Sequence, residues 1–141
     1  MKWLVDLVDY GVIGVLFVLC FVVVGLAVER WLFYGKVDVA AYDRKQKLEL
    51  EIGRNLQFIG TVAGNAPYIG LLGTVLGIML TFYNIGLDTG INTAAIMLSL
   101  ALALKATAFG LVVAIIAVML YNALTRKAKN LLLQWEIRHE G

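Results

Sequence analysis

Uncharged apolar runs divide the chain. Tyr10 to Val28 holds 19 residues without a charge and closes on Glu29, Arg30, Trp31 and Tyr34. From Asn55 to Thr125, a further 71 residues carry only two charges, Asp88 and Lys105. A helix rising about 1.5 Å per residue needs about 20 apolar residues to cross about 30 Å of hydrocarbon. With the polar and aromatic residues that close it, the first run predicts a spanning helix over 10–33. The long stretch predicts two more spans, over 63–87 and 93–123, turning through a short loop at 88–92. The expected fold class is therefore all-α, an integral membrane helical bundle with three transmembrane helices and helical extensions.

The flanking segments also read as helical. In residues 1–9, Lys2, Asp6 and Asp9 share one helical face and Trp3, Leu4, Leu7 and Val8 another, which predicts a short helix lying in the membrane interface. Between the first two spans, over 34–62, Leu48, Ile52, Leu56, Ile59 and Ala63 recur three or four residues apart. One apolar stripe is thus expected to run from this segment straight into the second span. Asp43 with Lys47, and Lys45 with Glu49, are opposite charges four residues apart, worth only about 0.2–0.5 kcal/mol each. After the third span, residues 124–141 form a basic helical tail whose Leu131 to Ile137 stretch can pack on the first extension.

Composition agrees with the pattern. Hydrophobic residues make up 61% and charged residues 16%, with a mean hydropathy of +0.84, against about 25% charged in soluble domains. The single Cys20 excludes an intrachain disulfide framework. The acidic pair Asp6 and Asp9 and the lack of a small-residue cleavage site argue that the first apolar run is retained and is not a secretory signal. Six of the 12 Lys and Arg residues lie between spans one and two, and four follow span three. The positive-inside bias places the N-terminus outside and both basic segments inside, where Arg126, Lys127 and Lys129 meet anionic lipid headgroups.

Anchoring alone does not need the small and polar residues of spans two and three. Gly60 with Gly64, and Gly73 with Gly77, are small-residue pairs that let helix backbones approach. Pro67 lacks a backbone donor and is expected to kink the second span. Gly70, Thr74, Gly77, Thr81 and Asn84 follow on one face, a line suited to another helix or a pore. In the third span Ser99, Ala103, Ala106, Thr107, Gly110, Ala114 and Ala117 gather toward one side. A hairpin centred between residues 90 and 91 sets Thr74 and Thr107 level, about 18 Å below the outer boundary.

Lys105 is the sharpest anomaly. A Lys near a helix centre costs about 2.5–3.5 kcal/mol on insertion scales. Asp88 falls in the outer loop and Glu29 at the inner interface, so a carboxylate partner is expected from another chain. Lys105 also lies about 200° around the helix from Thr107, which assigns it to a subunit or partner contact and not to the lumen.

Ala66 and Pro67, Gly70 to Gly77, Ala103 to Gly110, and Ala117 with Tyr121 and Asn122 together resemble the membrane core of the ExbB/TolQ/MotA proton-channel family, closest to ExbB. The similarity covers about Ile59 to Asn122, and three spans with the N-terminus outside disfavour the four-span MotA pattern. The resemblance implies a pentameric ring in a bacterial inner membrane, with periplasmic N-terminus and cytoplasmic C-terminus. It implies an ExbD-like single-span partner bearing a membrane Asp, a TonB-like protein that receives the work, and protons as coupling ion. Thr74 and Thr107 match the family's pore-lining threonines, whose hydroxyls can both donate and accept. The ring would use the glycine faces, including Gly64, Gly70 and Gly110, as subunit contacts.

Two positions depart from the family pattern: Leu102 stands where a membrane Glu occurs, and Ile116 replaces a Pro. The expected function is an ExbB-like subunit of a proton-motive-force-driven stator that energises outer-membrane transport. A TolQ-like subunit in envelope maintenance and a non-conducting membrane scaffold are the alternatives. An enzymatic role is not expected: His139 is solitary, Cys20 has no partner, and no cofactor, metal or nucleic-acid motif is present.

Overall fold

A computed structural model of the chain describes residues 2–87, 90 and 92–140. Its helices are α1 (Lys2–Lys36), α2 (Lys45–Ile52), α3 (Leu56–Leu87) and α4 (Thr93–Glu140), with a 3-10 turn at Val39–Ala41. Among the described residues there is no strand. Asp6–Lys36, α3 and α4 are each long and apolar enough to cross a membrane. Only 17%, 28% and 28% of their most apolar windows is buried, so most large apolar side chains face outward, as lipid or other chains require.

The boundaries differ from those the pattern predicts. Residues 2–9 form no separate interfacial helix; α1 runs unbroken through them, because no helix-breaking residue separates the polar start from the apolar run. Likewise α4 continues from the third span through the basic tail as one 48-residue helix, about 72 Å long. Of the short loop at 88–92, residues 88, 89 and 91 lie outside the described residues. Asn92 starts α4, its Oδ1 accepting the backbone N–H of Ala94 at 3.0 Å, which satisfies one donor of the first turn.

The stripe from Leu48 to Ala63 is buried as expected, but it does not lie on one continuous helix. Asn55 adopts φ 65, a left-handed conformation that Asn tolerates better than most residues. It ends the turn between α2 and α3, while Leu48, Ile52, Ile59 and Ala63 all remain buried. Two side chains of α1 hold the end of α2. Arg30 Nη1 donates to the carbonyl of Glu51 at 2.6 Å, and the Tyr34 hydroxyl donates to the carbonyl of Ile52. These are C-terminal carbonyls without partners inside the helix, and a cation at that end also meets the negative end of the helix dipole. Arg30 is 2% exposed, paired with Glu29 at 2.5 Å and stacked 4.5 Å from the Phe33 ring. At the far end, Trp135 Nε1 donates to the Tyr42 carbonyl at 3.0 Å, and Lys45 pairs with Glu136.

Helices α3 and α4 form the most extensive contact, and α1 packs across both. Gly70 and Gly110 face each other at the crossing. A Cβ on Gly70 would stand 2.6 Å from the Ala106 carbonyl oxygen, and one on Gly110 would stand 2.7 Å from that of Ala66. Gly73 accepts Val12 of α1 and Ala106 of α4, Gly77 meets Ala103, and Gly60 meets the Tyr121 ring. These five glycines therefore let the helices of one chain pack closely, as their small-residue spacing suggests. Gly64 alone of the six has open space around it. Helix α3 continues through Pro67 as one element.

Candidate functional site

The crossing at Gly70 and Gly110 brings α3 and α4 close enough for short side chains to reach the opposite backbone. One turn along α3, Thr74 is 6% exposed and its Oγ1 donates to the Ala103 carbonyl at 3.0 Å. Across the interface, Thr107 Oγ1 lies 3.5 Å from the Gly70 carbonyl. The two hydroxyls are hydrogen-bonded to each other. The result is a row of four oxygens: Gly70 carbonyl, Thr107 hydroxyl, Thr74 hydroxyl, Ala103 carbonyl.

Each hydroxyl has one proton, so the row has two complete polarities. In one, Thr107 donates to Thr74 and Thr74 donates to Ala103. In the other, Thr74 donates to Thr107 and Thr107 donates to Gly70. Rotating two O–H bonds interconverts them without moving a heavy atom. Either hydroxyl can exchange a proton with a group that reaches it, and the row carries no fixed charge that would need compensation in an apolar surrounding.

The rest of the predicted polar line is packing. Thr81 is 6% exposed and donates to the carbonyl of Gly77 on its own helix at 2.8 Å, the common fate of a membrane Thr. Gly70, Gly77 and Thr81 are buried against neighbouring helices, so the line faces α4 and not open space.

Lys105 does not need another chain for its carboxylate. Its Nζ lies 3.4 Å from Oδ2 of Asp9. The charge pattern of residues 1–9 predicts a helix lying flat at the interface; the unbroken α1 instead carries Asp9 beside α4. Asp6 and Asp9 border a cavity of about 40 Å³ with Gly73, Gly77, Ser99 and Ala103. Leu102 lines the same cavity. Helix α4 thus gives this cavity an apolar side chain, while α1 gives it two carboxylates. The sequence signal for Asp9 was present in the period of α1, but the assumed helix break hid it. Among the described residues no group of three or more His, Cys, Asp or Glu side chains could hold a metal ion.

Comparison with known proteins gives the arrangement its context. Residues 35–137 match the MotA/TolQ/ExbB proton channel family. The chain belongs to this family. It is 50% identical over 139 residues to the biopolymer transport protein ExbB of Aquifex aeolicus, covering 99% of this chain and 94% of that one. An ExbB-like biopolymer transport protein of Helicobacter pylori is 51% identical over 134 residues, 95% of this chain and 89% of the relative. The ExbB of Salmonella typhimurium is 42% identical over 76 residues, 54% of this chain but only 31% of its own length. The chain is thus a member of a proton channel family, with three helices long and apolar enough to cross a membrane.

Proposed function

We propose that the chain is an ExbB-like subunit of a motor driven by proton-motive force, with the Thr74–Thr107 pair as its part of the proton path. The observation that carries this reading is the meeting of the two hydroxyls between the carbonyls of Gly70 and Ala103. It occurs in a chain whose relatives at about half identity are ExbB proteins. Five copies form a ring around an ExbD-like partner, whose membrane Asp exchanges protons with the threonines. A TonB-like protein carries the work to the outer membrane. Protons are the coupling ion, and no other cofactor takes part.

The asymmetry of Lys and Arg supports a periplasmic N-terminus and a cytoplasmic C-terminus in the bacterial inner membrane. Arg126, Lys127 and Lys129 then lie at the inner leaflet, where anionic lipids attract them. Lys127 also sits 3.6 Å over the Trp31 ring, a pairing of ammonium and aromatic face that holds α4 to α1 at this level.

The test is Thr74→Val and Thr107→Val in cells lacking the native chain. Valine keeps the branched shape and removes the hydroxyl, so both variants assemble, and each loses energy-dependent outer-membrane uptake. Native uptake in both variants rejects the proposed route. Co-purification of a single-span chain bearing a membrane Asp supports the motor, and a functional complex without one favours the scaffold.

A further inference from the structure

Near the basic end of the bundle, α1 and α4 leave between them a slot of about 230 Å³ with an apolar lining. Buried Ala27 and Leu124 form its floor, and exposed Val28, Trp31, Leu32 and Ala123 its rim. The room exists because alanine stands at a lining position on each helix, at 27 and 123, where a longer side chain would fill it. Its volume far exceeds the about 30 Å³ share of a water molecule, yet no polar group lines it to hold one. A flexible hydrocarbon chain suits such a slot.

One end of the slot is charged. Lys127 stands one turn beyond Ala123 on α4, and its Nζ lies 3.6 Å over the ring of Trp31, itself part of the rim. Lys36 stands one turn beyond Leu32 on α1. Helices α1 and α4 are the first and third spans and run in the same direction, so both lysines lie toward the basic side. The Trp31 ring steadies the Lys127 ammonium without neutralising it, and among the described residues neither lysine pairs with a carboxylate. From Leu120 to Trp135, α4 adds Arg126 and Lys129 and no acidic residue. On α1, Glu29 is engaged by Arg30 through bonds of 2.5 and 2.6 Å, and Asp38 caps the 3-10 turn at Ala40. The charge left at this end is positive.

We propose that the slot binds one anionic phospholipid of the inner leaflet, with an acyl chain between α1 and α4 and its phosphate on Lys127 and Lys36. The site is independent of the proton path and is more than a diffuse attraction of the basic tail to headgroups. Order supports it as well as kind: a phospholipid carries its charge at the water-facing end of its chains, and the slot carries its cations at the end that the positive-inside bias sets at the inner surface. Free phosphate would meet the lysines and leave the slot empty. The bound chain completes the contact of α1 with α4 where the two alanines leave it unfilled.

The experiment uses the complex purified with the chains that accompany it in the membrane, reconstituted in vesicles of phosphatidylcholine and phosphatidylglycerol in fixed proportion. Bromine, which quenches tryptophan on contact, is placed on the acyl chains of one lipid and then of the other. The Trp31 signal is the difference between native and Trp31→Phe complexes, Phe keeping a ring beneath Lys127. Brominated phosphatidylglycerol associates with Trp31 about fivefold more strongly than brominated phosphatidylcholine, or more if both lysines reach the phosphate. Lys127→Gln with Lys36→Gln brings the two lipids close to parity. Ala123→Leu fills the slot from an exposed position, keeps both lysines and also removes the preference. Equal quenching by the two lipids in the native complex overturns the inference, and so does quenching by neither, which shows another chain covering the slot. A preference that survives Ala123→Leu belongs to the basic surface at large and overturns the slot. The exchange of label needs no charge or slot-filling substitution, so it decides even where those variants fail to assemble.

Discussion

Replacing Gly70 by Ala tests whether function depends on the closeness of α3 and α4. The added methyl would stand 2.6 Å from the Ala106 carbonyl oxygen, 3.0 Å from Gly110 Cα and 3.2 Å from Thr107 Cα. All three are backbone atoms, so no flexible side chain can swing aside. Bringing the shortest of them to an ordinary 3.4 Å contact needs about 0.8 Å of helix separation. The bond from Thr74 to the Ala103 carbonyl, now 3.0 Å, would lengthen to about 3.8 Å under a rigid shift, beyond hydrogen-bond range. The 3.5 Å approach of Thr107 to Gly70 has no reserve at all. Overpacking destabilises by about 1–3 kcal/mol, and the better helix propensity of Ala offsets up to about 1 kcal/mol. A modest net loss of about 1–2 kcal/mol is expected, with loss of proton-driven uptake out of proportion to it. Thermal denaturation of the detergent-solubilised complex and uptake in cells measure the two effects. Gly64→Ala, at a position with nothing within 4 Å, is the control and keeps stability of the single chain. Native stability together with native uptake in Gly70→Ala would refute the tight-crossing argument.

Other predictions concern the basic end of the bundle. Arg30→Ala leaves the Glu51 carbonyl without its donor and costs about 1–3 kcal/mol; Tyr34→Phe, which removes one hydroxyl, costs about 1 kcal/mol. Hydrogen exchange should accelerate in residues 45–52 in both, and unchanged protection there would show that these side chains do not hold α2. The hydrogen bond that Lys45 donates to Glu136 raises the pKa of Lys45 above its ordinary 10.5, with the Glu136 charge adding to the effect. A raised pKa gives stability that is complete below 10.5 and lost only as pH rises through the folded value. Native protein and Lys45→Gln should therefore show parallel stability profiles through neutrality and converge only in strong alkali; convergence near neutrality would contradict the pair.

Much of this was legible from the sequence, for identifiable reasons. Apolar run length sets the spans, and hairpin symmetry sets Thr74 level with Thr107, because both follow from fixed helical rise. The turn at Asn55 was not legible, since its apolar neighbours keep a helical period on both sides of the break. The partner of Lys105 was missed for the opposite reason. Charge spacing suggested that residues 1–9 were a separate amphipathic piece, although no Gly or Pro ends a helix before Tyr10. Local pattern states which face is polar, but whether a polar face meets headgroups or a neighbouring helix depends on where tertiary packing holds it. The glycines show the same limit. Their spacing signals close approach, while the identity of the approaching helix is decided by the fold.

Burial adds a direction to the proposed route. Thr74 is sealed between α3 and α4, whereas Thr107 is only partly covered. A chain packed against the outside of the hairpin therefore meets Thr107 first, and Thr74 exchanges protons with it through Thr107. On the other side, Thr74 is held by its hydrogen bond to the Ala103 carbonyl. Two threonines are the minimum for that geometry, because a single hydroxyl cannot reach carbonyls on both helices and still present a face outside. The close Gly70–Gly110 crossing makes so short a row sufficient: with bulkier residues there, the same two hydroxyls would be separated and the row would be broken.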